Sequence, residues 1–313
     1  MPGTIGHTTA LLAALLALTL AACGSAEPPV PPAATEAEAE VATPAPVVEA
    51  TPPPATGDSG ASPAINSVTV DPGDGTIVIG TGPALYRLAP GAKEAERLTG
   101  TLAGGTVSGN LVVRFRGKGD LLASGHPQEG ELPENLGLIH SADHGSSWKR
   151  VEGPEADYHE LEIAGDTILG VNAESPDIQV SRDGGATWET RTPPAAPIDV
   201  VVDPGDPSHW AVSTEQGTFV SSNAGGSWRP RDTTFGARLV WPARDALYSV
   251  DRNGAVSVSR DGGRSFKRRG DVGGLPSEVS AGRGGELLAG VVGGKIRRSR
   301  DGGRRWTTVA VLR

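Results

Sequence analysis

Along most of this chain apolar and polar residues alternate in short runs, and each run ends in a cluster of Gly, Pro, Asp or Ser. Ile65-Asn-Ser-Val-Thr-Val70 and Asp177-Ile-Gln-Val180 are examples. A two-residue period marks a strand with one buried face, and the punctuation between runs predicts tight turns. Two stretches break the pattern. Ala10 to Leu20 is almost continuously apolar yet too short to span a bilayer as a helix. The segment from residue 24 to 63 is dominated by Pro, Ala, Glu and Thr, has no apolar period, and cannot bury enough to fold. Beyond the N-terminus helical periodicity is nearly absent, and 44 Gly with 26 Pro agree with an all-β chain rich in turns.

One turn phrase recurs five times, as Ser-x-Asp-x-Gly-x-x-Trp. It reads Ser141-Ala-Asp143-His-Gly145-Ser-Ser147-Trp148, then Ser181-Arg-Asp183-Gly-Gly185-Ala-Thr187-Trp188, then Ser221-Ser-Asn223-Ala-Gly225-Gly-Ser227-Trp228. Ser259-Arg-Asp261-Gly-Gly263-Arg-Ser265-Phe266 and Ser299-Arg-Asp301-Gly-Gly303-Arg-Arg305-Trp306 complete the set. The copies are 40, 40, 38 and 40 residues apart, the period of a four-stranded β-propeller blade. Each phrase lies between two strand patterns and so forms a hairpin turn. The Asp or Asn accepts backbone N–H groups, Gly supplies a positive φ, and the aromatic covers the edge of the blade core, a role Phe266 can fill by burial alone. A sixth blade lacks the phrase. Ile65 to Asp74, with its Asp71-Pro72-Gly-Asp74, repeats at Ile198 to Asp206 with Asp203-Pro204-Gly-Asp206, which makes residues 65–104 a degenerate first blade. The expected architecture is a six-bladed β-propeller over residues 64–313, with blades starting near 65, 105, 156, 196, 235 and 274.

The repeated phrase resembles the Asp box, or bacterial neuraminidase repeat, of sialidases, sortilin-like receptors and photosystem assembly propellers. The resemblance implies a propeller whose Asp boxes lie on the face away from the ligand site, so the five aspartate positions are expected to be structural.

The leader ends in Leu20-Ala21-Ala22-Cys23-Gly24, which resembles the lipobox of bacterial lipoproteins. That resemblance implies a signal peptide over residues 1–22, acylation of Cys23, and a membrane-tethered protein of the cell envelope. The leader has no Lys or Arg before the apolar stretch, a departure from the usual pattern. Residues 23–63 then serve as a disordered linker that would reach roughly 120 Å as extended polyproline II. Cys23 is the sole cysteine, which excludes disulfides and thiolate metal clusters within the chain. The net charge is −9, of which the linker contributes six acidic groups and no basic one. Residues 260–313 reverse the sign, with 13 basic and 5 acidic side chains, and read either as a solvated rim or as a surface for anionic lipids or cell-wall polymers. Nucleic acid is not an expected partner of an extracytoplasmic chain, and a monomer is expected.

Strand connectivity divides the loops between two faces. The Asp boxes share one face with the turns between first and second strands. The opposite face, here called the top, collects the loops between second and third strands and the entries to each blade. Its longest loop carries His126, Glu129, Glu131, Glu134 and Asn135, and the next blade enters through Asp157-Tyr158-His159-Glu160. These residues form the expected ligand site at the channel mouth. Two imidazoles with a carboxylate suit a divalent metal, and His126 with His159 are the candidate ligands; a polar loop without a ligand is the plainer alternative. The run Ser124-Gly-His126-Pro, Asn135-Leu-Gly-Leu-Ile139 and Asp157-Tyr158-His159 is similar to bacterial secreted propellers catalogued as glycosyl hydrolases or sialidase-like proteins. Those relatives open their first blade with His-x-His-Gly, where this chain has Ala64-Ile-Asn66-Ser67. A sialidase would also need a Phe/Tyr-Arg-Ile-Pro run, and none is present. Tyr158 with Glu129 or Glu134 is the residual catalytic candidate set. The expected function is therefore a binding or assembly module for a glycan, cell-wall polymer or envelope protein. A sialidase-superfamily glycoside hydrolase and a metal-binding envelope lipoprotein are the alternatives.

Overall fold

The computed structural model describes residues 62–127, 132–151 and 156–313. Cys23, the leader, nearly all of the linker, Glu129 and Glu131 lie outside the described residues. Among the described residues the strands form six sheets, and the chain is a six-bladed propeller of antiparallel four-stranded blades. Blade 1 comprises Ile65–Val70, Ile77–Thr81, Leu85–Leu88 and Glu96–Leu98. Blade 2 comprises Gly109–Gly117, Asp120–Pro127, Ile139–Ser141 and Ser147–Arg150. Blade 3 follows with Tyr158–Ala164, Thr167–Asn172, Ile178–Ser181 and Glu189–Arg191. Blade 4 is Pro197–Asp203, Asp206–Thr214, Gly217–Ser221 and Arg229–Asp232. Blade 5 is Arg238–Ala243, Ala246–Val250, Ala255–Ser259 and Lys267–Asp271. Blade 6 is Pro276–Ala281, Leu287–Val291, Lys295–Ser299 and Thr307–Val311.

Blade 2 differs from the sequence expectation. Its first strand begins at Gly109, because Gly100–Leu102 and Gly105–Val107 form an extra hairpin on its outer edge, parallel to Ser147–Trp148. Gly100 makes this possible: a Cβ there would sit 2.4 Å from the indole nitrogen of Trp148. Leu102 and Val107 then bury against Trp148 and Leu98.

Six apolar clusters hold the ring, and each spans two neighbouring blades. Leu169, Val171, Val200 and Trp210 join blades 3 and 4, and Val201, Leu239, Trp241 and Leu247 join blades 4 and 5. The joint between the last blade and the first is made the same way, by Ile65, Val68, Ile77 and Ile79 packed on Leu288, Ile296 and Leu312. Among the described residues each blade draws its strands from one continuous stretch of chain, so the ring closes by side-chain burial rather than by a shared strand. Fully buried isoleucines such as Ile77 and Ile79 each contribute about 1.5–3 kcal/mol to that closure.

Every Asp box folds on itself. Ser141 Oγ donates to Asp143 Oδ1 at 2.8 Å and accepts from the Gly145 N–H at 2.8 Å, while Asp143 accepts from the Ser147 N–H at 2.8 Å and the Ser147 hydroxyl at 2.6 Å. The same bonds recur at Asp183 with Thr187 and at Asp261 with Ser265. Asp301 receives the backbone and guanidinium of Arg305. These donors hold Asp143, Asp183 and Asp301 at about 2, and Asp261 lower still. The indole N–H of Trp148, Trp188 and Trp306 donates to the carbonyl of Gly145, Gly185 and Gly303 at 2.9, 2.9 and 3.2 Å. Phe266 therefore matches the burial but not the hydrogen bond. Trp228 has the donor, yet finds no acceptor. The fourth box position is left-handed too, with φ 59° at His144 and 54° at Ala224, where the other copies have Gly.

Candidate functional site

The first strands of blades 1, 3, 4 and 6 slip register at one shared point, between Ile65 and Ser67, Tyr158 and Glu160, Pro197 and Asp199, and Pro276 and Glu278. A bulge re-aims the residues around it. Here it turns Ser67, Glu160, Asp199 and Glu278 into the interior, all four buried. Three of these are acids, and two of them, Glu160 and Glu278, meet two arginines from the first strands of blades 2 and 5. Arg114 Nη2 donates to Glu160 Oε1 and, at 2.7 Å, to Glu278 Oε1. Arg238 Nη1 stands 3.6 Å from Glu160 Oε2 and 3.9 Å from Glu278 Oε2. The result is a cross-braced plug linking blades 2, 3, 5 and 6.

Asp199 and a fourth acid, Glu162, lie beside it. Glu162 Oε1 accepts from the Val202 N–H at 3.3 Å and Asp199 Oδ2 from the Leu239 N–H at 2.8 Å, each bond crossing to the next blade. Burial pushes Glu162 up to about 7, opposed by the Val202 bond and Arg114. Burial, then the charge of Glu160, also lifts Glu278 to about 7 and Asp199 well above the carboxylate range. For Arg114 burial works against the charged form, but Glu160 and Glu278 outweigh it and hold the guanidinium ionised.

The plug has cavities on either side. Toward the Asp-box face lies a cavity of 660 Å³ bordered by Phe115, Glu160, Glu162, Asp199 and Trp241, with Pro72, Pro204 and Arg283 from the first-to-second-strand turns. That these turns share a face with the Asp boxes is fixed by His144, whose Nε2 sits 2.9 Å from Asp71 of the blade 1 turn. At the top, a pocket of 340 Å³ is lined by Asn66, Asn110, His159, Arg238 and Ser277, and one of 400 Å³ by His159, Asn172, Glu174 and Arg238. Their larger counterpart thus sits at the end opposite to the expected ligand face.

The expected top-face residues have different fates. His126, at the end of the second strand of blade 2, and His159, at the bulge of blade 3, converge on the buried Asp157. Asp157 Oδ2 is 2.6 Å from His126 Nε2 and 2.7 Å from His159 Nε2, and the two rings meet edge to face at 5.7 Å. The hydrogen bond to Asp157 raises the pKa of His159. One ligand atom from each of the three residues falls within 4.8 Å of the others, a set able to hold a metal ion. A second such set, Asp71, Asp74 and His144, lies on the Asp-box face, where the carboxylates already accept the N–H groups of Gly73, Thr76 and Gly119.

Glu134 is exposed, and Asn135 is half-buried with its side-chain oxygen unpartnered. Tyr158 is a packing residue. It is buried, its ring stacks on Trp188 at 5.5 Å, and its hydroxyl donates to Gln179. Burial drives the phenol above its usual range, opposite to what a nucleophile needs. The plug residues Arg114, Asp199, Arg238 and Glu278 were not expected from sequence. For the acids the signal is a polar residue two places after the strand start, seen at Ser67, Glu160, Asp199 and Glu278 alike; the arginines carry no such mark.

Among known proteins, the BNR/Asp-box repeat family model matches residues 179–190. No curated protein matches the chain. Solved structures with a similar fold include the GH74 xyloglucanase from Xanthomonas campestris, at 20% identity over 79% of this chain and TM-score 0.51. An ancestral GH74 enzyme aligns at 15% identity, also over 79% of the chain and with TM-score 0.51. This chain spans 38% of the length of each of those two enzymes. The WD40 β-propeller domain of Doa1 aligns at 13% identity over 80% of this chain and 84% of its own, with TM-score 0.52. At these identities the likeness is one of fold. The repeat match, the self-bonded boxes and the closed ring of blades together make this chain a six-bladed Asp-box β-propeller.

Proposed function

We propose that this protein is a binding or assembly module of the cell envelope, tethered through an acylated Cys23, that takes a glycan, cell-wall polymer or envelope protein on its top face. The observation that carries this reading is the knot of His126, Asp157 and His159 beside two pockets that share His159 and Arg238. In this reading His126, His159 and Asp157 take up a divalent cation, whose open positions would face a ligand's oxygen atoms. Metal must displace the proton that Asp157 stabilises on His159, so affinity rises with pH. Hydrolysis is the weaker reading: Tyr158 is packed in the core, and Glu160 and Glu278 are braced by arginine.

The test uses the full chain with Cys23→Ser to keep it in solution. Calorimetric titration with zinc or manganese should give one site, lost in both His126→Ala and His159→Ala; stoichiometry unchanged by either substitution would remove the metal. Binding to a panel of glycans and cell-wall polymers should fall in Asp157→Asn, whereas turnover of any of them would replace the binding reading with a hydrolase. Incorporation of labelled fatty acid into the wild type but not into Cys23→Ala checks the tether.

A further inference from the structure

The fourth strand of every blade faces outward as a sheet edge, and in five blades that edge is blunted. Charge does this in blades 1, 3, 4 and 5, where Glu96–Leu98, Glu189–Arg191, Arg229–Asp232 and Lys267–Asp271 each carry at least two charged side chains. On blade 2 the added hairpin lies along Ser147–Trp148. Blade 6 has neither device. Its outer strand, Thr307-Thr-Val-Ala-Val311, is uncharged, and four of its five residues are β-branched. The bulge in the outer strands of blades 4, 5 and 6 falls on Arg231, Arg269 and Val309, so blade 6 alone has an apolar residue there. Among the described residues no strand pairs with the outer side of Thr307–Val311, and Val311 is left 43% exposed.

The joint beside this strand also lacks a part that the other five joints have. Elsewhere the fifth-position glycine of an Asp box presses on the preceding blade. Gly145 does so on Leu98 and Gly303 on Val256, where an added Cβ would meet the neighbour at 2.9 and 2.8 Å. Blade 1 has no Asp box to lay on blade 6. At this joint there is a groove of 560 Å³, walled by Thr308 to Arg313 on one side and by Tyr86, Lys93 and Ala95 of blade 1 on the other. Six consecutive residues of one strand and its exit line it, so the shape that fits is an extended chain.

The backbone selects the class of occupant. The Leu312 N–H donates inward to the Gly294 carbonyl at 2.8 Å. Backbone groups alternate in direction along a strand, so the N–H and C=O of Val311 point outward. A row of such groups is matched in chemistry and spacing by another peptide backbone. The chain already uses this mode once, where Gly100–Leu102 adds to the edge of blade 2. Charge then narrows the partner. Lys93 and Arg313 border the groove against the one acid Glu94, and residues 260–313 carry 13 basic and 5 acidic side chains. A second copy fits poorly, because antiparallel pairing centred on Val309 sets Arg305 of each copy opposite Arg313 of the other.

We propose that the outer edge of blade 6 is a docking site for an extended, acidic segment of another polypeptide, which pairs with Thr307–Val311 as a fifth strand and lays side chains in the groove. The site is on the rim of the ring, away from the channel mouth, and it stands or falls independently of the top-face reading.

The experiment is fluorescence anisotropy of the full chain, carrying Cys23→Ser, with a labelled six-residue peptide that alternates glutamate with valine. The glutamate peptide should bind, and its lysine counterpart should not. Methylating one or the other set of alternate backbone nitrogens gives two further peptides. The one blocked on its paired side should lose about tenfold in affinity, and the other should keep it. Val311→Pro removes an outward N–H while leaving the inner ladder whole, and should weaken the glutamate peptide about tenfold in a folded chain. Val311→Glu sets a like charge on the edge and is the second variant should the proline chain fail to fold. Hydrogen exchange at the Val311 amide should slow when the glutamate peptide is bound. Equal affinity of the two N-methylated peptides, equal binding of the lysine peptide, or no binding of the glutamate peptide would overturn the assignment. A dimer of the peptide-free chain that Val311→Pro dissolves would give the edge to a second copy instead.

Discussion

Removing one carboxylate from the channel should stabilise this protein, and the gain should depend on pH. In Glu162→Gln the Val202 N–H keeps its acceptor and the side-chain volume barely changes. Burial raises Glu162 from 4.5 to about 7. Between those values the folded chain holds a proton that the unfolded chain has released, so wild-type stability falls as pH rises through the window and the loss is complete above the folded pKa. At ~1.4 kcal/mol per unit the full shift corresponds to about 3 kcal/mol. Glu162 is partly open to the cavity, whose water screens some of that, and about 2 kcal/mol is the expected gain for the glutamine chain at high pH. Urea unfolding of both chains should be compared in buffers from about pH 4 to 8.5. Urea is preferred because guanidinium is itself a cation. The two chains should coincide near the acid end, and the glutamine chain should lead by about 2 kcal/mol at the alkaline end. The difference curve reports Glu162 together with its repulsion from Glu160 and Glu278. A constant offset across the range, or a less stable glutamine chain above neutrality, would refute the reasoning.

Other expectations follow from the plug and the boxes. Arg114→Met leaves Glu160 and Glu278 with Arg238 alone, at 3.6 and 3.9 Å, and should lose about 3–5 kcal/mol in urea unfolding; adding Glu160→Gln and Glu278→Gln should recover most of it. Phe266→Trp gives the fourth box the indole donor that Trp188 directs at Gly185, and should gain about 1 kcal/mol provided Gly263 accepts it. Ala224→Gly relieves a φ of 54° and should raise stability by about 1 kcal/mol, read as a higher thermal midpoint.

What was legible in the sequence is what the chain builds locally. The bonds of an Asp box's Ser, Asp and Trp side chains fall within eight residues, so its chemistry and its period are written in one short phrase. His126, Asp157 and His159 were traceable because connectivity alone puts neighbouring blade entries on one face. The plug was not, since Arg114 and Glu278 are 164 residues apart and meet only when the ring closes. Tyr158 misled for a different reason. It opens its strand before the bulge, and that slip sends its ring toward Trp188 while His159 stays at the surface. The expected blade start near residue 105 is instead the second strand of the added hairpin on Trp148, which turns at Ala103-Gly104.

The closure of the ring by packing has a topological consequence. Every blade is one uninterrupted stretch of chain, and Ser62 and the Leu312 carbonyl both abut Gly294. The molecule is thus an annulus in which the position of the chain ends is arbitrary among the six joints. A circular permutant joined from residue 313 to residue 62 by a short glycine linker, with new ends opened at Gly236 between blades 4 and 5, cuts no sheet and should refold to the same ring. The proposed lipid tether could then be moved from joint to joint, turning a different sector of either face toward a membrane without altering a single blade.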